Sequence, residues 1–382
     1  MVLFLHNRYR TTGGEERVVD DLAWLVRERL GEPVELLARD SAALGRSRAA
    51  LGLLRGGLDP EQVARLVREH RVRVVHAHNL LPAFGWRALA AARAAGARVV
   101  LHLHQYRLVC AIGVCYTHGA ECTRCHGRDT LPGLRLNCRG SRSEAAAYAA
   151  SLALWQGRTV RQADAVVVPS AFARERLREL GAPLPDGRVR VLAPPVRALD
   201  AAPLPQAAGA AELPSYALVV SRLAPEKGVD VAIEACQRAG VTLIVAGDGP
   251  ERERLEAQAA QAHGVAGASV RFAGHVDDEE LARLRARASI ALVPSRSAET
   301  FGLAAAEAMS AGVPVLASAV GAMPELVERE ALVPPGDPAA LAAAIGRLTG
   351  DRGAGERARE RVRAVCAPEV VADALAELYG SA

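Results

Sequence analysis

The chain has 382 residues, 50% of them hydrophobic and 4% aromatic, with 47 basic side chains against 43 acidic ones. That hydrophobic fraction excludes intrinsic disorder. Near-balanced charge with few aromatic rings argues against a nucleic-acid binder that stacks bases. At roughly 150 residues per domain, the length predicts two domains, with three as the alternative.

In chain order, short apolar runs alternate with helix-period segments. The first runs are Val2 to Leu5, Val34 to Ala38, Val72 to His76, Arg98 to His104, Ala165 to Val168 and Arg188 to Leu192. Between the first two, Glu16 to Leu30 carries Val18, Leu22, Leu25, Val26 and Leu30 on one face, and Gly31 is expected to stop that helix. The second half repeats the rhythm with Ala217 to Ser221, Thr242 to Ala246, Val270 to Ala273, Ile290 to Val293 and Val315 to Ala317. Near-continuous apolar strands alternating with helices predict an α/β chain with parallel sheets covered on both faces. Gly355 to Tyr379 reads as a closing helical segment. The expected organisation is a first Rossmann-like domain over 1–195 with an insertion at 105–142, then a Pro/Ala-rich linker at 196–214. A second domain follows over 215–365, and a terminal helix over 366–382 is expected to return to the first domain. Two doubly wound domains facing across a cleft is the expected fold.

The longest uncharged stretch, Ala308 to Pro324, is interrupted by Gly312, Pro314, Gly321 and Pro324, which does not suit a bilayer helix. The N-terminus opens on a strand, so no signal peptide and a cytoplasmic location are expected, with peripheral membrane contact left open.

Three loops carry chemistry. Thr12-Gly13-Gly14-Glu15 follows the first strand, and its glycines allow backbone amides to approach a phosphate or sugar. Ser221 to Gly228 follows the first strand of the second domain and brings Arg222 and Lys227, two cations suited to a diphosphate. Lys227 is the only lysine in the chain; every other basic side chain among the 47 is arginine. A compact ammonium retained in such a background points to a specific need for it. Glu299-Thr300-Phe301-Gly302-Leu303 then precedes a helix whose first amides form an anion site, with Glu307 inside that helix among alanines. Carboxylates there suit sugar or ribose hydroxyls. The chain holds neither a complete G-x-G-x-x-G nor a P-loop.

Taken together, Gly13-Gly14, Val75 to His78, Arg222 to Gly228, Ala246 to Pro250, Phe272 to Gly274, Glu299 to Glu307, Ala311 to Val315 and Val333 to Asp337 resemble family 4 of the retaining glycosyltransferases, of GT-B architecture. The likeness spans nearly the whole chain and is densest in its second half. It implies transfer of a hexose-type sugar from a nucleotide sugar, a UDP- or GDP-sugar, to a glycan, lipid-linked or small-molecule acceptor, with no metal needed for transfer. The donor would sit in the second domain and the acceptor in the first. By the same resemblance Arg222 and Lys227 stabilise the leaving diphosphate, Glu299 contacts the sugar and Glu307 the ribose. The backbone of Phe301, Gly302 and Leu303 meets sugar and phosphate, and the loop at His275-Val276 meets the base. His104 matches the active-site histidine; His102 projects to the same face. A nucleotide-sugar epimerase and a non-catalytic zinc scaffold are the alternative readings.

Five of the seven cysteines fall between Cys110 and Cys138. The Cys122-x2-Cys125 pair suits one tetrahedral zinc ion, and a long unpatterned loop suits a metal staple. A cysteine-bearing subset of the resembled family matches at Cys110, Cys122, Cys125 and Cys138; Cys115, His118 and His126 are alternative ligands. Arg107, Arg124, Arg128, Arg135, Arg139 and Arg142 make the same insertion basic and suggest a face for an anionic acceptor or lipid headgroups. Cys236 and Cys366 read as core residues.

Overall fold

The computed structural model describes residues 1–9, 13–200, 216–261, 269–349 and 351–380. Thr12 and most of the expected linker lie outside the described residues. The chain divides into two compact units. The first comprises Met1–Thr117, Cys122–Pro195 and the chain from Pro368 onward; the second is built on Val196–Ala367.

The strands up to Pro195 are β1 (Val2–Arg8), β2 (Val34–Asp40), β3 (Val74–Ala77), β4 (Arg98–His102), β5 (Tyr116–Thr117), β6 (Ala120–Glu121), β7 (Ala165–Val168) and β8 (Val189–Val191). Six of them form a parallel sheet in the order β2-β1-β3-β4-β7-β8, and β5-β6 form a separate small ribbon. The strands of the second unit are β9 (Tyr216–Val220), β10 (Thr242–Ala246), β11 (Val270–Gly274), β12 (Ala288–Val293), β13 (Val315–Ser318) and β14 (Leu332–Val333). They make a second parallel sheet in the order β11-β10-β9-β12-β13-β14. β1, β3 and β7 are buried on both faces, which is why they read as continuous apolar runs.

Both sheets reverse direction once. In the first the chain runs from β1 outward to β2, then crosses to β3 on the other side of β1. In the second it runs from β9 to β10 and β11, then crosses to β12 on the other side of β9. In such open sheets the crevice outside the strand carboxyl ends at the reversal is where ligands sit. In the second sheet the flanking loops are Ser221–Gly228 and Pro294–Gly302; in the first they are the segments after Arg8 and Ala77.

The first helix runs Gly14–Glu28 rather than from Glu16 to Leu30. Gly13 is its N-cap, and the Glu16 carboxylate accepts from the Gly13 amide at 2.9 Å, closing the first turn. Gly31, at φ 63°, sits just beyond its end. The closing segment is two helices rather than one, Arg352–Cys366 and Pro368–Tyr379. Pro368 has no amide to donate and starts the second helix at the point where the two units divide. The last helix is tied to the first sheet: Arg98 Nε donates to the Leu378 carbonyl at 3.0 Å and Arg73 to that of Tyr379 at 2.6 Å.

The insertion differs from an unpatterned loop. Tyr106, Leu108, Val109, Cys110, Cys115 and Cys125 are buried within the hydrophobic core of the first unit. Their irregular spacing carries no period of 2 or 3.6, so the sequence pattern hid them. No helix among the described residues is long and apolar enough to cross a membrane.

Candidate functional site

In the second unit the reversal between β9 and β12 gathers the predicted residues. Lys227 Nζ donates to Glu299 Oε1 at 2.6 Å, and Ser295 Oγ donates to the same oxygen at 2.7 Å. Burial pushes the Glu299 carboxyl up, but the Lys227 charge and the hydrogen bonds from Lys227 and Ser295 outweigh it and hold Glu299 below its ordinary range. Arg222 is exposed on the same loop and paired with Glu226. Neither Ser295 nor Glu226 was marked by the sequence; both are ordinary loop residues until the fold brings them to charged partners.

Glycines fix this geometry. Gly228, at φ 64°, packs so closely on the Pro294 carbonyl that a Cβ would overlap it. Gly321, at φ 61°, lies against the backbone N and O of Glu299, and the Ala322 amide donates to the Glu299 carbonyl at 2.9 Å. These contacts clamp the Glu299 loop from two sides.

Gly302 is the N-cap of helix Leu303–Ser310 at φ 106°, and Phe301 before it is buried. Glu307 lies within this helix and is paired with Arg285 from the preceding helix, Asp278–Arg287. Arg285 answers why a carboxylate is tolerated among alanines. Val276 is half-buried and packs on the cluster of Tyr216, Leu218 and Ile244.

In the first unit the strand ends carry five histidines. His6 ends up beside Glu15 and Glu16, with nitrogens 4.0 Å and 3.7 Å from their carboxylates. His76, His78, His102 and His104 form a stack: ring centroids lie 4.4 Å apart for His76 and His78, 5.3 Å for His76 and His102, and 4.2 Å for His102 and His104. His78 Nδ1 meets His104 Nε2 at 2.9 Å. The stack follows from strand register: His76 pairs with Val100, so continuing the parallel register sets His78 beside His102. Burial first, and then the neighbouring histidines, hold His76 and His104 at about 3 and His78 and His102 well below 6.5.

His76, His78 and His102 have ligand atoms within 4.8 Å of one another, the one such trio among the described residues. Their planes are 30° apart for His76 and His78 and 13° for His76 and His102. Imidazole lone pairs lie in the ring plane, so near-parallel stacked rings do not aim three of them at one ion. The stack is a hydrogen-bonded, neutral assembly.

Gly13 and Gly14 begin the neighbouring helix, and Glu15 on its first turn accepts from the Tyr9 hydroxyl at 2.7 Å and from Gln105 Nε2 at 3.1 Å. Burial, only partly offset by the Tyr9 hydrogen bond and by His6 and Arg107, raises the Glu15 carboxyl. Glu15, Tyr9 and Gln105 were not singled out from the sequence; each looks like a loop polar residue until the strand ends meet.

The cysteine prediction has a mixed outcome. Cys110, Cys115, Cys122, Cys125 and Cys138 all line one small void of about 10 Å³, room for a single atom or ion. The Cys110 thiol is held down to about 6, first by the hydrogen bond from Cys115 and then by backbone amides against the burial that raises it. Among the described residues, however, no three of these sulfurs fall within 4.8 Å of each other, so no closed thiolate cage is preformed. Cys236 and Cys366 are buried, and burial pushes each up to about 12.

The six arginines of the insertion do not form one basic face. Arg107 lies over the Tyr9 ring at 4.9 Å, and Arg139 lies over Tyr148 at 3.7 Å while pairing with Glu144. Arginine stems and guanidinium planes pack well on aromatic rings, which turns these two inward.

Comparison with known proteins gives the family. The profile described as "Glycosyl transferase 4-like domain" matches residues 9–195, and that described as "Glycosyl transferases group 1" matches residues 202–365. The chain is 37% identical over 238 residues to a glycogen synthase of Mycobacterium tuberculosis, covering 58% of this chain and 55% of that protein. It is 36% identical over 212 residues to a D-inositol 3-phosphate glycosyltransferase of Acidothermus cellulolyticus, covering 50% and 46%. The chain thus spans about half the length of these curated relatives. Among solved structures, a sucrose-phosphate synthase from Thermosynechococcus elongatus is similar with a TM-score of 0.73 at 21% identity, covering 100% of this chain and 98% of that one. HepE of Anabaena, solved with UDP-glucose, is similar with a TM-score of 0.66 at 21% identity, covering 100% of both chains. These likenesses show the fold, two parallel-sheet α/β domains of the GT-B class. Matched in order over both halves, the chain belongs to the group 1 glycosyltransferases with a 4-like first domain.

Proposed function

We propose that this chain moves a hexose-type sugar from a nucleoside diphosphate sugar to the hydroxyl of a glycan, lipid-linked or small-molecule acceptor, with retention at the anomeric carbon. The observation that carries the reading is the Lys227–Glu299 pair at the reversal of the second sheet. It sets an ammonium suited to a diphosphate on a carboxylate suited to sugar hydroxyls. An ammonium has three donors, so Lys227 can hold Glu299 and still meet phosphate oxygens. Arg222 adds a second cation, and the helix starting at Leu303 offers its first amides.

In the proposed reaction the bond from the sugar C1 to the diphosphate oxygen breaks, and its electrons leave with the diphosphate. The acceptor oxygen bonds to C1 from the same face, and its proton passes to the leaving diphosphate, so no side-chain base is required. Arg222 and Lys227 stabilise the charge that develops on the diphosphate. Glu299 orients the sugar, Glu307, steadied by Arg285, is assigned the ribose hydroxyls, and the loop at Val276 is assigned the base. Gly13 and Gly14 are assigned a backbone approach to sugar or phosphate, and His104 keeps the place beside the sugar that the resemblance gives it. HepE was solved with UDP-glucose, which favours a uridine donor.

A thermal-shift series with UDP-, GDP- and ADP-sugars tests this reading. One nucleotide sugar is expected to raise Tm, and the shift is expected to vanish in Lys227→Ala. The anomeric configuration of the product, read by NMR, tests retention. No shift with any nucleotide sugar at millimolar concentration overturns the reading.

The same proposal assigns a structural zinc ion to Cys110, Cys122, Cys125 and Cys138. The thiol donors and the single-ion void suit it, and the sulfurs would have to draw together to close around it. Bound there, zinc would staple the insertion and take no part in transfer.

A further inference from the structure

The first unit contains a cavity of about 80 Å³ beside the histidine stack. That is several times the roughly 10–15 Å³ needed to admit one water, so the cavity admits more than a single water. Its lining is mixed: Glu15, His78, His102 and Gln105 are polar, Leu80, Leu81, Leu152 and Trp155 are apolar, and Ser151, Gln156 and Thr159 lie on the same helix as Leu152 and Trp155.

The polar part of the lining is incompletely satisfied. His78 Nε2, His102 Nε2, Gln105 Oε1 and Arg107 Nε are buried without a hydrogen-bond partner. Buried polar atoms are almost always paired in folded proteins. Gln105 Oε1 and Arg107 Nε lie against Gly113, outside the cavity lining, but His78 Nε2 and His102 Nε2 belong to lining residues and call for a ligand or ordered water that can both donate and accept. Hydroxyl groups do both. A phosphate does not suit the lining, because the Glu15 carboxylate stands in it and the Arg107 guanidinium is already engaged with the Tyr9 ring and the Ile112 carbonyl. The lining leucines offer nothing to a bare sugar, but they gain from contact with an apolar group.

We propose that this cavity takes an acceptor in which a hydroxyl-bearing ring is joined directly to an apolar group, in its simplest form an alkyl or aryl glycoside. The hydroxyls meet Glu15, Gln105 and the two histidines, and the apolar group lies against Leu81, Leu152 and Trp155. The proposal rests on the glycosyl transfer proposed above and names the acceptor class for it.

Calorimetric titration of the full chain with octyl β-D-glucoside below its micelle concentration, methyl β-D-glucoside and glucose 6-phosphate provides the test. UDP-glucose and GDP-mannose are titrated into the same sample. Octyl glucoside is expected to bind at least about tenfold more tightly than methyl glucoside, the gain from burying roughly two methylenes. In Leu81→Gln that advantage is expected to disappear, while Leu81→Met keeps it. Should Leu81→Gln fail to fold, Thr159→Trp fills the cavity from its lining helix and is expected to abolish binding of both glycosides. Equal binding of the two glycosides, tighter binding of glucose 6-phosphate, or an octyl preference untouched by these variants overturns the proposal. Nucleotide-sugar binding with no glycoside binding overturns it and leaves the transferase reading standing. Glycoside binding that meets these expectations, with no nucleotide-sugar binding, keeps the amphipathic site and overturns the transferase reading.

Discussion

The phenolic oxygen of Tyr379 lies 2.7 Å from Nδ1 of His76, a hydrogen bond between residues 303 positions apart in the chain. His76 Nε2 in turn meets Nδ1 of His102 at 3.3 Å, and His102 lines the cavity of the first unit. A neutral imidazole carries one N–H. If Tyr379 donates to His76, then His76 must donate to His102, and the His102 hydrogen sits on Nε2. If Tyr379 accepts, every step reverses. The two rings are therefore expected to share one tautomer, which ¹⁵N NMR of labelled histidines reads directly. Tyr379→Phe removes the lock; mixed tautomers and a loss of about 1–2 kcal/mol are expected. Opposite tautomers on His76 and His102 in the unaltered protein contradict the relay.

Acid is expected to destabilise the first unit early. His76, His78, His102 and His104 all titrate below their ordinary 6.5 in the folded chain, two of them at about 3, because burial and then mutual repulsion disfavour the charge. Above 6.5 both states are neutral and nothing is gained or lost. Below it the unfolded chain takes up protons that the folded chain refuses, so stability falls with pH down to the folded values. The loss is about 1 kcal/mol per histidine between pH 7 and pH 5.5. Urea midpoints measured at intervals across that range should fall together; a flat profile would show that the rings are charged or solvated. Glu299 acts in a lower window. Its lowered carboxyl contributes stability above the ordinary carboxylate range, and that contribution is lost as pH falls through its folded value.

Gly321 is expected to matter as much as the charged residues it never replaces. A methyl group there would overlap the Glu299 backbone, at a φ of 61° that disfavours any side chain. Gly321→Ala is expected to cost about 1–3 kcal/mol and to weaken nucleotide-sugar binding about tenfold by displacing Glu299 from Lys227. Calorimetric unfolding and donor titration on one preparation check both; unchanged donor affinity would mean the loop absorbs the shift.

For the cysteine void, metal analysis of protein purified without chelator is expected to find one zinc per chain. Replacement by Co²⁺ is expected to give thiolate charge-transfer absorption, and this should be lost in Cys122→Ser and Cys125→Ser. Seven thiols titrating freely in the absence of chelator, with no metal, would remove zinc from the account.

Much of the fold was legible because each strand is its own signal. β1, β3 and β7 are buried on both faces, so their apolar runs needed no knowledge of neighbours. The loops at Arg222 to Lys227 and at Glu299 were legible for a related reason: charges directly after an apolar strand stand at its carboxyl end wherever that strand sits. The break at Pro368 was missed, because the helical period on either side made the segment look continuous.

The partners were not legible. Glu299 is 72 residues from Lys227, and Glu307 is 22 from Arg285. Tyr379 is 303 from His76, and Gln105 is 90 from Glu15. The sequence by itself determined the two parallel sheets and the residue types placed at their strand ends, because burial and turn chemistry act locally. Only the tertiary structure decided which of those residues meet. That choice depends on strand order: setting β12 beside β9 joins Lys227 to Glu299, and setting β4 beside β3 stacks the histidines. Such contacts arise between segments that share no periodicity, and only the closed sheet brings them within hydrogen-bonding range.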